Sequence, residues 1–180
     1  MKNKSVCFGE YSIIYYTSRK NENFEIVVDN DVVERLKDDG HSVYCHWYKN
    51  SNAFYADITK YLGKDEFGKP KYKQLFLHKY IMGDAEDIIV DHISTKTLDN
   101  RRKNLRVISK ENNCKNRKGK NSNNTSGYRN VTRMGKWWRI QLQINGKNKL
   151  FSEKFEDVNK AGEFALKMRQ EYYGDFSGLS

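Results

Sequence analysis

Of the 180 residues, only one is proline and only three are cysteine. Cys7, Cys45 and Cys114 form no CxxC pair and cannot all pair with one another, which excludes a disulfide framework and points to reduced thiols. No apolar run is long enough to span a bilayer, and no basic helix with a fatty face stands out, so a membrane partner is not expected. Residues 1–5 are polar and no apolar signal-peptide core follows them, as in a cytoplasmic chain.

Charge of one sign is in excess. Thirty-three Lys and Arg against 23 Asp and Glu give a net charge of +10 and a pI near 9.4. Coulomb attraction and counterion release make a polyanion the natural partner, and nucleic acid is the one the composition favours. With 37% hydrophobic and 31% charged residues the chain is too apolar to be disordered, and its length suits one ordinary domain or two small ones.

The residue pattern reads as α+β. Residues 11–16 and 24–28 are β-branched and aromatic, so strands; residues 29–31 cap a short helix through Val32, Val33 and Leu36 that ends near Gly40. Residues 41–48 and 54–58 form a strand pair around the polar turn 49–52, and 72–77 is a further strand. Residues 63–71, with the glycines, charges and the single proline Pro70, read as a loop. A helical patch at 77–82 precedes the apolar run Ile88-Ile89-Val90, which ends at Asp91-His92. A polar loop over 94–104, a strand at 105–108 and a helix from Lys110 to about Arg117, capped by Ser109, follow. Residues 118–126 are polar and basic, as in a linker. In the tail, residues 128–132 form a strand, and Trp138, Ile140, Leu142 and Ile144 alternate with Arg139, Gln141 and Gln143. Asn145-Gly146 is a hairpin turn, 147–151 is a third strand, and Asp157 opens an amphipathic helix.

Phosphodiester hydrolysis needs a water-derived nucleophile, charge relief on the phosphate and a stabilised leaving oxygen. Histidine takes a proton from water near neutral pH, and a hard divalent cation prefers the oxygens of carboxylates and amides. Asp91 and His92 sit together where a strand gives way to a loop, Asn104 ends that loop, and Asn113 lies one to two turns into the next helix. A second cluster, His41, Cys45 and His46, has the residue types of a zinc site but lacks a fourth ligand, and strand alternation accounts for it as well.

Val90-Asp91-His92-Ile93, Leu98-Asp99-Asn100-Arg101-Arg102, Asn104-Leu105-Arg106 and Glu111-Asn112-Asn113 resemble the HNH nucleases, most of all the phage intron-encoded homing endonucleases. The resemblance implies a ββα-metal finger around one divalent ion, Mg²⁺ or Mn²⁺. Asp91 would be the first metal ligand, His92 the general base, Asn104 the residue that braces the loop and Asn113 the second ligand. Leu77-His78 matches the upstream Leu-His segment of that family, with His78 structural or facing phosphate. Ser94-Thr95-Lys96 stands where many relatives have an Asn-Gly turn.

The tail resembles a second family. Asn124-Thr125-Ser126-Gly127-Tyr128-Arg129-Asn130-Val131, Gly135-Lys136-Trp137-Trp138-Arg139 and Asn145-Gly146-Lys147 look like the APETALA-type domain of plant ethylene-response factors, with Asn130 in place of a usual glycine. That family lays a three-stranded sheet in the DNA major groove with a helix behind it. Arg139, Gln141 and Gln143 would face bases or phosphates. Arg129, Arg133, Lys147 and Lys149 would join them, with Trp137 on sugar or at the strand's start. Lys115, Arg117 and Lys118 would track the backbone.

Together these readings predict residues 1–72 as an α+β support, 73–117 as the HNH core, 118–126 as a linker and 127–180 as a three-stranded sheet packed on one helix. The expected activity is metal-dependent cleavage of duplex DNA by a monomer or weak dimer, encoded by a phage or mobile element in a bacterial host. The alternatives are a non-cleaving DNA-binding regulator on an inactive HNH scaffold and a nuclease directed at RNA.

Overall fold

The computed structural model describes residues 1–85, 88–116, 120–121 and 123–178. It is mixed α+β, and among the described residues all four sheets are antiparallel. The chain divides into two compact units, Met1–Ser109 and Lys110–Ser180.

The first unit opens with a meander, β1 (Ser5–Phe8), β2 (Tyr11–Thr17) and β3 (Asn23–Asp29), of which β1 is an addition to the sequence reading. Helix α1 (Asn30–Asp38) buries Val32, Val33 and Leu36, the face its apolar spacing dictates. Its N-cap Asp29 makes no side-chain cap bond; the carboxylate instead accepts from the backbone N–H and guanidinium of Arg102, 2.9 and 3.2 Å away. A second meander follows, β4 (Val43–Tyr48), β5 (Ala53–Lys64) and β6 (Pro70–Phe76). Strand therefore extends into both ends of the expected loop 63–71. Pro70 is accommodated because it is the first residue of its strand. Helix α2 (Leu77–Met82) leads to the hairpin β7 (Ile89–His92) and β8 (Leu105–Ile108).

One apolar core serves this whole unit. Ile14, Ile26, Leu36, Ile58 and Leu77 are fully buried in it, and Val90 and Leu105 of the hairpin join the same cluster. The N-terminal strands and the expected finger are thus packed as one body, because β7 and β8 alone bury too little to stand in water.

The second unit contains α3 (Lys110–Lys115), a sheet of β9 (Val131–Met134), β10 (Trp137–Ile144) and β11 (Lys147–Leu150), and α4 (Val158–Tyr173). The described part of the expected linker, residues 120–121 and 123–126, belongs to this unit. β9 starts three residues later than the sequence reading, since Asn124 and Ser126 tie the preceding turn. Asn124 Oδ1 accepts from Gly127 N–H at 2.9 Å, and Ser126 Oγ donates to Val131 O at 3.0 Å. Asn145 and Gly146 have φ of 49° and 76°, the pair of positive angles a two-residue hairpin turn demands. Asp157 caps α4 by accepting from Asn159 N–H at 2.7 Å. Ile140, Leu142, Ala161, Ala165 and Met168 form the second core. No helix among the described residues is long and apolar enough to cross a membrane.

Candidate functional site

Asp91 and His92 end β7, directly opposite Arg106 and Leu105 of β8. The residues alternate across the hairpin, so Leu105 and His92 turn inward while Asp91 meets Arg106. The Asp91 Oδ2 accepts from Arg106 Nε at 3.0 Å and from its terminal nitrogen at 2.8 Å.

His92 is only 5% exposed, and burial holds its pKa below the ordinary histidine value; the Asn100 contact and the Asp91 and Asp99 charges pull the other way. The imidazole is therefore neutral at neutral pH, the form a general base needs. Asn100 Oδ1 lies 3.4 Å from His92 Nε2. An Nε2–H tautomer donates to that oxygen and leaves the lone pair on Nδ1. Asn100 has no residual exposure, and its backbone N–H donates to Val27 O at 2.7 Å. Sequence reasoning assigned Asn100 no role, since nothing local distinguishes it from the other polar residues of the loop.

The loop 93–104 is held from within by Asn104. Its Oδ1 accepts from Ser94 N–H at 2.9 Å, its Nδ2 donates to Asp99 O at 2.7 Å, and its backbone O accepts from Ile93 N–H at 2.8 Å. From outside the loop is pinned to two strands: Val27 N–H donates to Leu98 O at 2.9 Å, and Thr97 Oγ1 donates to Phe54 O at 2.6 Å. Thr95 turns the loop with φ of 64°, the left-handed conformation that a glycine or asparagine would supply more easily.

His78 is buried near the start of α2 and meets His92 edge to face, with ring centroids 5.1 Å apart. Phe76 stacks on it at 5.1 Å, and Tyr55 touches both histidines at 5.9 Å. Burial, then the neighbouring His92, push its pKa down to about 3. Enclosure of this kind gives His78 a packing role.

Asn113 occupies an exposed position on α3, in the second unit. Among the described residues no three His, Cys, Asp or Glu side chains gather as a metal site. Asp91, in the first unit, nevertheless offers a hard oxygen donor. That suits Mg²⁺, which is commonly held by one or two protein oxygens with water and substrate phosphate completing the shell.

The zinc reading of the second cluster is not supported by geometry. Cys45 and His46 are successive residues of β4 and point to opposite faces; Cys45 is buried and burial pushes its thiol up to about 12. His46 Nδ1 instead lies 2.6 Å from the buried Asp57 Oδ2, and His41 packs against Tyr80.

In the second unit, register sorts the expected DNA contacts. Trp137, Arg139, Gln141 and Gln143 share one face of β10, and Gln141 and Gln143 are exposed there. Arg139 donates to Phe151 O at 2.7 Å. Lys147 and Lys149 pair with Ile144 and Leu142, which places them on the opposite, helix-facing side; Lys149 Nζ donates to Tyr172 Oη at 2.7 Å. Arg133 pairs with Trp138 and stacks on its ring, again on the helix side. Arg129 donates to Lys115 O at 2.7 Å, and Lys115 pairs with Glu111. Asn130 has φ of 67°, a conformation asparagine tolerates nearly as glycine does. Arg117 and Lys118 lie outside the described residues. Comparison with family models, curated proteins and solved structures finds no match for this chain.

Proposed function

We propose that this chain is a metal-dependent DNA endonuclease of the HNH kind. The observation that carries the reading is the site at the end of the β7–β8 hairpin: a buried, neutral His92, oriented by Asn100, beside the carboxylate of Asp91 on a loop braced by Asn104. His92 Nδ1 accepts the proton of the attacking water, while Nε2–H stays bound to Asn100 Oδ1. Asp91 would hold Mg²⁺ or Mn²⁺, which when bound supplies charge relief to the phosphate and the leaving oxygen. Arg106 holds Asp91 in place in the meantime. The amide face of β10 would select duplex DNA, glutamine and arginine being suited to base edges.

A plasmid assay tests the proposal. With Mg²⁺ or Mn²⁺ the wild type nicks or linearises supercoiled DNA and His92→Ala does not. Equal cleavage by the two removes His92 as the base.

A second reading is a non-cleaving DNA-binding regulator. It draws on the Arg106 guanidinium, which already occupies Asp91 where a cation would otherwise sit. Tight duplex binding without cleavage across several metals favours it.

A further inference from the structure

Strands β5 and β6 outrun the sheet that contains them. β4 pairs with β5 only as far as Val43↔Ile58, whereas β5 and β6 continue through Thr59↔Gln74, Lys60↔Lys73, Tyr61↔Tyr72 and Lys64↔Pro70. Every residue from 59 to 74 is exposed except the half-buried Gly63, so both faces of this two-stranded ribbon stand in water. An isolated ribbon is marginal in water. Lys60 faces Lys73 directly in the ladder, and Lys60 Nζ also donates to Asp84 Oδ2 at 3.2 Å. Tyr61 and Tyr72 are 53% and 60% exposed, with ring centroids 5.6 Å apart.

Residues 59–74 contain five lysines against two carboxylates. One of the two, Asp65, is engaged in the tip, where it accepts from Phe67 N–H and Lys69 N–H at 2.9 and 2.8 Å. Such a surplus of cations on a narrow two-stranded element matches a duplex in shape and charge, since a β-ribbon fits the major groove and lysines there reach phosphates on its walls. Pairing sets Lys60 and Lys73 on one face and the two tyrosines on the other. The ribbon is also continuous with the candidate site: β6 ends at Phe76, whose ring stacks on His78, and His78 meets His92.

We propose that residues 59–74 are a second DNA-binding arm, inserted in a groove of duplex DNA, with its lysines on the phosphates and Tyr61 and Tyr72 against sugars and base edges. The proposal rests on the reading that the chain acts on duplex DNA. It adds a contact in the first unit, apart from the sheet of the second.

Binding of the full chain to a labelled 30-base-pair duplex and to the matching single strand, in EDTA, tests it by fluorescence anisotropy between 50 and 200 mM salt. Each phosphate neutralised contributes about −0.9 to the slope of log K against log salt. The quadruple variant Lys60→Gln, Lys64→Gln, Lys71→Gln, Lys73→Gln is expected to flatten the slope by about 2–4, with affinity at 100 mM salt down at least about tenfold. Tyr61→Ala with Tyr72→Ala is expected to weaken binding at unchanged slope. Thermal midpoints should stay level, since no core residue is touched. A wild type that binds duplex with a slope the lysine variant leaves unchanged overturns the arm. Preference for the single strand, lost in the tyrosine variant, overturns the duplex in favour of a stacking platform. Failure of the wild type to bind any DNA overturns the nuclease reading itself.

Discussion

His78 and His92 face each other edge to face across 5.1 Å, with ring planes at 84°, and neither is more than 6% exposed. The pair couples the helix α2 to the end of β7, and both rings are held neutral by burial. A proton on His78 is disfavoured by that burial and by the neighbouring His92.

Stability should therefore fall with acid. The folded pKa of His78 is about 3, below the value near 6.5 in an unfolded chain. Between these values the unfolded state binds the proton and the folded state does not, so stability rises with pH there. It is fully present above about pH 6.5 and is lost as pH falls toward 3. Urea midpoints from pH 7.5 to pH 4 measure this, and His78→Phe, which removes the titrating group, should give a flatter profile than the wild type. Parallel profiles would remove His78 as the source.

Asn104→Ala should destabilise the first unit by about 1–3 kcal/mol, because Ser94 N–H and Asp99 O lose their partners together. Asn104→Asp retains the acceptor for Ser94 and loses the donor to Asp99, so it should fall between the two. Denaturant unfolding reports both, and hydrogen exchange at Ser94 should quicken in the alanine variant alone.

Thr95 carries a cost at φ of 64° that its β-branched side chain makes worse. Thr95→Asn, and less so Thr95→Gly, should stabilise the first unit by about 0.5–1 kcal/mol, since each enters the left-handed region more easily. Glycine gains less because it also loses more chain entropy on folding. Unchanged melting of both variants would show that the loop relaxes around threonine at no cost.

Gly162→Ala sets two effects against each other in α4. Alanine is worth about 1 kcal/mol over glycine in a helix. Here its Cβ would fall on the Tyr128 ring, closer than carbon atoms approach, and displace a side chain whose hydroxyl donates to Asn159 at 2.7 Å. Overpacking of this kind costs about 1–3 kcal/mol, so the variant should melt lower than the wild type. Gly162→Ala combined with Tyr128→Ala should recover much of the loss, and a lone Gly162→Ala that melts higher would show that the ring swings aside freely.

Much of the fold was legible locally. The alternation of Trp138, Ile140, Leu142 and Ile144 decided which face of β10 meets α4, since successive strand residues point to opposite sides. Asn145-Gly146 decided the hairpin, and the spacing of Val32, Val33 and Leu36 decided the buried face of α1. The position of Asn104 at the close of a polar loop was enough to expect the bonds it makes. Register was harder to read. One residue of offset moves a side chain to the other face, and the late start of β9 with the pairing of β11 put Arg133, Lys147 and Lys149 on the helix side.

The sequence by itself determined most of the elements of this protein, though not β1 or the full reach of β5 and β6, together with its excess of positive charge and the adjacency of Asp91 to His92, because propensity, periodicity and charge act over a few residues. Only the tertiary structure decided that Asn100 faces His92, that Arg106 holds Asp91, that His78 closes the histidine pair and that β5 and β6 project as a lysine-rich ribbon. Those relationships join residues across strands and loops, and they follow from one shared core that buries the hairpin together with the N-terminal sheets.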